Sequence, residues 1–217
     1  MTILVAAATP AEIEITRQFL EKTNFQINQH QIDMLVTGVG SIATTYSLAK
    51  SIQRKRHEYV IQAGIAGSFS KEMALGTTVC VHEEIMGDLG AEENNEFSDI
   101  FDLGLMKEND LPFTNKVLKN PFLTERHAFG LPAVRSISIN EITTRKARID
   151  LLQRKFNPDI ESMEGAAFHY VCLSEEIPFI QIRAISNYVG ERDKDKWRIA
   201  LAIENLNSAL MDALRRL

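Results

Sequence analysis

Cysteine is scarce in this 217-residue chain: there are two, Cys80 and Cys172, far apart and in no CxxC pair. A zinc ribbon is thereby excluded and a disulfide framework is not expected. The five histidines are scattered and no HExxH occurs, so neither a metal site nor a cofactor is expected. Long hydrophobic runs are also missing. The apolar start, Ile3–Ala8, is too short for a signal peptide and has no basic flank. Nothing approaches the ~18 to 20 apolar residues that span a bilayer. Positive charge is not in excess either: the formal net charge is -5 and the pI about 5.6. A nucleic-acid binder would carry a basic stripe, and the one basic cluster, Arg54-Lys55-Arg56, reads as a solvated helix end. These absences point to a soluble protein of the reducing cytoplasm, with neither nucleic acid nor membrane as partner.

What is present suits one globular domain over residues 1–217: hydrophobic residues make up 45% and charged residues 24%, enough for a core and too apolar for disorder. Short runs rich in Val and Ile recur at Ile3–Ala8, Ile32–Val36, Tyr59–Ala66, Thr77–His82, Val134–Ile139 and Phe179–Ser186. They fit strands buried on both faces of a parallel or mixed sheet. Helical patterns alternate with them. Pro10–Glu21 follows Thr9 as candidate N-cap, Ile42, Tyr46, Ala49 and Ile52 recur at helical spacing, and so do Ile199, Ile203, Leu206, Leu210 and Leu214. The alternation predicts an α/β fold, a central mixed sheet flanked by helices. The stretch Gly87–Pro132, with its polar run Glu92-Glu93-Asn94-Asn95-Glu96, is the irregular part, expected to serve function or an interface or to be partly mobile.

Candidate catalytic chemistry calls for carboxylates and polar groups gathered in one place. In open α/β sheets such groups stand at strand ends. Glu12 follows the first strand, but Thr9-Pro10-Ala11-Glu12 also has capping-box spacing, and the two readings are compatible. Gly64-Ile65-Ala66-Gly67-Ser68 lets a ligand approach the backbone, or is a tight connection. In Asp159-Ile160-Glu161-Ser162-Met163-Glu164-Gly165-Ala166-Ala167 an acidic strand end runs into a small-residue helix. There Glu164 could serve the helix dipole and Met163 could fill core. Arg183-Ala184-Ile185-Ser186-Asn187 puts an arginine inside a buried strand, where it needs a carboxylate partner. Asn187 offers a donor and an acceptor, or a turn.

Ser162-Met163-Glu164-Gly165-Ala166-Ala167 together with Arg183-Ala184-Ile185-Ser186-Asn187 resembles the nucleoside phosphorylase and nucleosidase superfamily. Within it, Val36–Gly40, Gly64–Phe69, Gly87–Glu92, Ile185–Val189 and Arg192-Asp193 look most like the futalosine hydrolases of menaquinone synthesis. The related methylthioadenosine/S-adenosylhomocysteine nucleosidases usually have Asp where this chain has Asn187. The phosphorylases have an arginine-bearing loop where this chain has Ala6-Ala7-Ala8-Thr9-Pro10. The resemblance implies a purine nucleoside substrate and a homo-oligomer, most simply a dimer, with part of Gly87–Pro132 lining the partner's pocket. It implies that Glu12 holds the attacking water, Glu164 accepts from the ribose hydroxyls and Asn187 binds the purine O6/N7 edge. Met163 would pack near the ribosyl face, Arg183 would orient neighbouring acids, Ile142 would offer backbone groups to the base, and Gly67 and Ser68 would line the substrate. No metal or cofactor is implied.

Overall fold

The computed structural model describes residues 1–94, 96–124, 128–142 and 144–217; Asn95 of the polar run lies outside them. In chain order the elements are β1 (Thr2–Ala7), α1 (Pro10–Lys22), β2 (Gln26–Ile27), β3 (His30–Val36), α2 (Ser41–Arg54), β4 (Tyr59–Ser68), β5 (Thr78–Met86), β6 (Gly90–Glu93), β7 (Glu96–Asp99), β8 (Leu118–Lys119), β9 (Ala133–Ser138), α3 (Lys146–Phe156), β10 (Ile160–Ser162), α4 (Gly165–Ser174), β11 (Phe179–Tyr188) and α5 (Ile199–Arg216). Each Val/Ile run in the sequence is a strand. The basic cluster lies at the end of α2, where cations favour the carbonyl end of the helix dipole.

The main sheet is mixed, in the order β10-β9-β5-β11-β4-β1-β3-β2, with β8 added at β5. β3, β1, β4 and β11 run parallel, whereas β5 meets β11 antiparallel. The far edge then turns back: β10 pairs antiparallel with the end of β4, through Ile160↔Ser68 and Glu161↔Gly67. The circuit β4-β11-β5-β9-β10 is therefore closed, and the Glu161–Glu164 segment arrives beside the carboxyl end of β4 from the opposite direction.

Apolar side chains of β1, β4 and β11 pack on α1 and α5 on one face, with Ile61, Ile182, Leu206 and Leu210 at its centre. On the other face Leu4, Leu48, Val60 and Phe168 join the sheet to α2 and α4. Most described residues of Gly87–Pro132 are irregular, as expected, but three short strands interrupt it: β6 and β7 form a hairpin, β8 joins the main sheet, and Phe113 and Leu118 pack against Ala166 of α4. Polar composition hid these short strands, because only alternate residues such as Phe97 and Asp99 are buried. Helix α3 also escaped the sequence reading; its buried face is little more than Leu151 and Leu152.

A polar clamp joins α5 to α1. The fully buried Asn207 accepts from the Thr16 amide (2.9 Å) and hydroxyl (2.7 Å) and donates to the backbone oxygen of Glu12 (2.9 Å). Removing the amide strands these groups away from water, at roughly 1–3 kcal/mol per unsatisfied group. Asn207→Ala should therefore lower unfolding free energy by about 2–4 kcal/mol, read as a lower denaturant midpoint at unchanged slope. A change within about 0.5 kcal/mol, the usual range for an inert surface position, would show that the clamp adds no stability.

Candidate active site

The parallel strands β1, β4 and β11 end together, and their carboxyl ends form one wall of a cavity of about 320 Å³, a size usual for small-molecule sites. Glu12 enters this wall from the first turn of α1. The Thr9 amide and hydroxyl donate to its Oε2 at 2.9 and 3.0 Å, and the Ile65 amide donates to its Oε1 at 3.1 Å. The capping and strand-end readings of Glu12 are thus both realised. The carboxylate caps the helix and also lines the cavity, cross-linked to the end of β4.

Glu164 comes from the opposite wall, just ahead of α4. The Gly40 amide donates to its Oε1 at 3.0 Å, and Arg183 Nη1 lies 3.4 Å from its Oε2. Arg183 thus has the carboxylate partner that a buried strand arginine needs. Its Nη2 also donates to Gln62 Oε1 at 3.1 Å. A Cβ at Gly64 would lie 2.2 Å from Arg183 Nη1 and 3.1 Å from Glu12 Oε1. Glycine there is what lets the guanidinium and the Glu12 carboxylate crowd against β4.

Asn187 owes its direction to a bulge: the register of β11 against β4 slips between Ile185 and Asn187, leaving Ser186 unpaired. The Asn187 amide is locked on both ends. Its Nδ2 donates to the Tyr188 carbonyl at 3.1 Å and its Oδ1 accepts from the Ser186 hydroxyl at 2.8 Å. A carbonyl can only accept, so the nitrogen must face it, and one N–H remains for the cavity.

Of the residues nominated from sequence, Glu12, Gly67, Ile142, Met163, Glu164 and Asn187 line this cavity. Two do not. Arg183, 1% exposed, lies behind the wall and touches Glu164 instead. Ser68 corrects its reading as a ligand-facing residue: it is buried where β10 closes the circuit, and its hydroxyl turns to the Ser70 carbonyl at 2.9 Å. The sequence reading missed the Gly40 amide, Ser162 and Ser186, and the apolar wall of Trp197, Ile199 and Ile203. Ile199 and Ile203 were seen only as helix pattern and Trp197 not at all, and nothing local shows that the start of α5 borders a cavity. Among the described residues no group of three or more His, Cys, Asp or Glu converges to hold a metal ion, and no helix is long and apolar enough to cross a membrane.

A closed mixed sheet with opposed carboxylates at its strand ends has close counterparts. The phosphorylase superfamily profile matches residues 2–217, and the chain belongs to that superfamily. It is 32% identical over 187 residues to the futalosine hydrolase of Thermus thermophilus, covering 84% of this chain and 79% of that one. It is 29% identical to the futalosine hydrolase of Streptomyces coelicolor, covering 100% of this chain and 95% of that one. Among solved structures, the fold superposes with TM-score 0.81 on the 5'-methylthioadenosine/S-adenosylhomocysteine nucleosidase of Colwellia psychrerythraea in complex with adenine, at 18% identity and covering 100% and 96% of the two chains. It superposes equally, at 0.81, on the futalosine hydrolase of Helicobacter pylori, at 16% identity, covering 100% and 98%. With these relatives the chain is an enzyme of the N-glycosyl hydrolase kind, a nucleosidase.

Proposed function

We propose that the enzyme hydrolyses futalosine to hypoxanthine and dehypoxanthine futalosine, in the cytoplasm, as a step of menaquinone synthesis. The observation that carries this reading is the Asn187 amide, fixed with an N–H toward a cavity that also holds Glu12 and Glu164. Glu12 holds and polarises the attacking water. Glu164 accepts from the ribose 2′- and 3′-hydroxyls and faces the positive character developing at C1′, and Arg183 holds it aimed. As the C1′–N9 bond breaks, its electron pair leaves with the purine, the water oxygen bonds to C1′, and the water proton that Glu12 accepts is returned through solvent to the departing purine, which leaves both products neutral and Glu12 as it began. Asn187 donates to the 6-oxo edge of the departing base. Gly67 and the Ile142 backbone border the base, Met163 packs near the ribosyl group, and Trp197, Ile199 and Ile203 offer an apolar wall to the substrate's aryl substituent. Carboxylates and oriented dipoles meet an oxocarbenium-like transition state without a metal.

Water rather than phosphate is favoured as nucleophile. Among the described residues the cavity lining includes Glu12 and Glu164 and no lysine or arginine, so a phosphate anion would lose hydration against like charge. Incubating the enzyme with futalosine, inosine or methylthioadenosine, with and without phosphate, tests both points by chromatography of the free base. Hypoxanthine release from futalosine at a rate indifferent to phosphate is expected. A strict phosphate requirement, or release from methylthioadenosine alone, would overturn the reading. We further propose that the chain works as a homodimer in which part of Gly87–Pro132 borders the partner's cavity. Full activity of a species that light scattering shows to be monomeric would refute this.

A further inference from the structure

Behind the cavity lies a second set of polar side chains that the proposed reaction does not use. Glu84, on β5, is wholly buried. Gln181 Nε2 lies 2.8 Å from its Oε1, and the Ser138 hydroxyl donates to its Oε2 at 3.0 Å. Ser138 Oγ in turn accepts the Ala166 amide at 2.7 Å, in the first turn of α4. A Cβ on Gly165 would fall 1.7 Å from Glu84 Oε1, so the chain just after Glu164 rests directly on this carboxyl group. One helical turn further on, the buried imidazole of His169 faces the Gln181 amide, and its Nδ1 is 3.0 Å from the Leu118 carbonyl.

The donors and acceptors of this set decide who holds protons. A carbonyl only accepts, so His169 Nδ1 carries hydrogen, and burial lowers the imidazole pKa to about 3, keeping the ring neutral. His169 Nε2 is then an acceptor and needs a donor. With the Gln181 nitrogen toward Glu84, both His169 Nε2 and Gln181 Oε1 are left without partners in the interior, at a free-energy cost that native interiors rarely bear. An amide has two ends that differ only in donating or accepting. Turned over, the Gln181 nitrogen donates to His169 Nε2 and its oxygen faces Glu84. That oxygen finds a donor only if Glu84 carries the proton.

We propose that Glu84 is a protonated carboxylic acid in the folded enzyme, and that the relay His169–Gln181–Glu84–Ser138 positions the start of α4, and through it Glu164. The groups acting on Glu84 are Arg183 and Gln181 on β11, with Ser136 and Ser138 opposite on β9; beyond Gln181, His169 on α4 meets the charge of Arg183 and the side chain of His82. Burial raises the Glu84 pKa more than Gln181, Arg183 and the two serines lower it.

The linkage has a definite sign. The unfolded chain carries Glu84 ionised at neutral pH and the folded chain carries it protonated. Wild-type stability therefore falls, relative to a variant with a neutral amide there, as pH rises from the unfolded pKa toward the raised folded one. Glu84→Gln keeps one donor and one acceptor. Its folding equilibrium constant, relative to wild type, should rise by up to about tenfold per pH unit across that window, and its kcat/KM near neutral pH should stay within about threefold of wild type. Glu84→Leu, without a donor, should lose about tenfold or more, in kcat rather than KM. The infrared spectrum at neutral pH should contain a protonated carboxylic-acid band that isotope-labelled glutamate shifts and Glu84→Gln removes. If Glu84→Gln does not fold, the labelled wild-type band still decides. Absence of that band, or a stability ratio that does not change with pH, would overturn the proposal.

Discussion

Glu12→Gln and Glu164→Gln should each lower kcat/KM by at least ~100-fold, the usual consequence of losing a positioned base or a group that meets transition-state charge. The structure separates what each change does. The Glu12 oxygens receive three donors, from Thr9 N, Thr9 Oγ1 and Ile65 N. An amide has one oxygen, so its nitrogen must face at least one of those N–H groups. Glu12→Gln should therefore lose stability of roughly 1–3 kcal/mol as well as activity, without unfolding. At Glu164 the change leaves the buried Arg183 guanidinium without its carboxylate, and pairs broken from one side are strongly destabilising. Activity should be measured on protein whose fold is verified by circular dichroism. Near-normal turnover in Glu12→Gln would reduce that residue to a helix cap; near-normal turnover in Glu164→Gln would remove the ribose-binding role.

The second large effect is a change of substrate preference at Asn187. Hypoxanthine presents acceptors at O6 and N7, which the remaining Asn187 N–H can serve. Adenine presents an amino donor at position 6, which would meet that N–H head on. The Tyr188 carbonyl and Ser186 hydroxyl fix the amide at 3.1 and 2.8 Å, so turning it over to suit adenine would set two acceptors against each other. A mismatched buried edge costs roughly 1–3 kcal/mol, about tenfold to over a hundredfold in kcat/KM. Wild type should prefer a 6-oxopurine nucleoside over its 6-amino counterpart by that margin. Asn187→Asp should lose most of the 6-oxo activity, because a carboxylate cannot donate and would confront the Tyr188 carbonyl, and the ratio should move toward the 6-amino substrate. Matched kcat/KM values for both proteins check this. Equal cleavage of both substrates by wild type, or a ratio untouched by the substitution, would mean that Asn187 does not read the base.

Strands were legible in the sequence wherever burial on both faces leaves a continuous Val/Ile run, as in Tyr59–Ser68 and Phe179–Tyr188, each almost wholly buried. Glu12 was legible because a cap spacing and a strand end coincide there. Position beyond the strand ends was not legible. Ser68 and Gly67 are neighbours in one glycine-rich turn, yet only Gly67 borders the cavity, because β10 pairs on this end of β4 and buries the serine. That pairing joins residues about 90 positions apart, and no local pattern encodes it. For the same reason the Arg183 contact with Glu164 was foreseen only as a need for some carboxylate. The Glu84–Gln181 contact was not foreseen at all, since the apolar run that marks this strand in the sequence ends at His82, before Glu84.

The most direct test is to run the reaction on futalosine in heavy-oxygen water without phosphate, and to weigh both products by mass spectrometry. The account predicts free hypoxanthine and a sugar product carrying one heavy oxygen at C1′, formed at the same rate when phosphate is added. Intact futalosine alongside cleaved methylthioadenosine, or a phosphorylated sugar that appears only with phosphate, would contradict it.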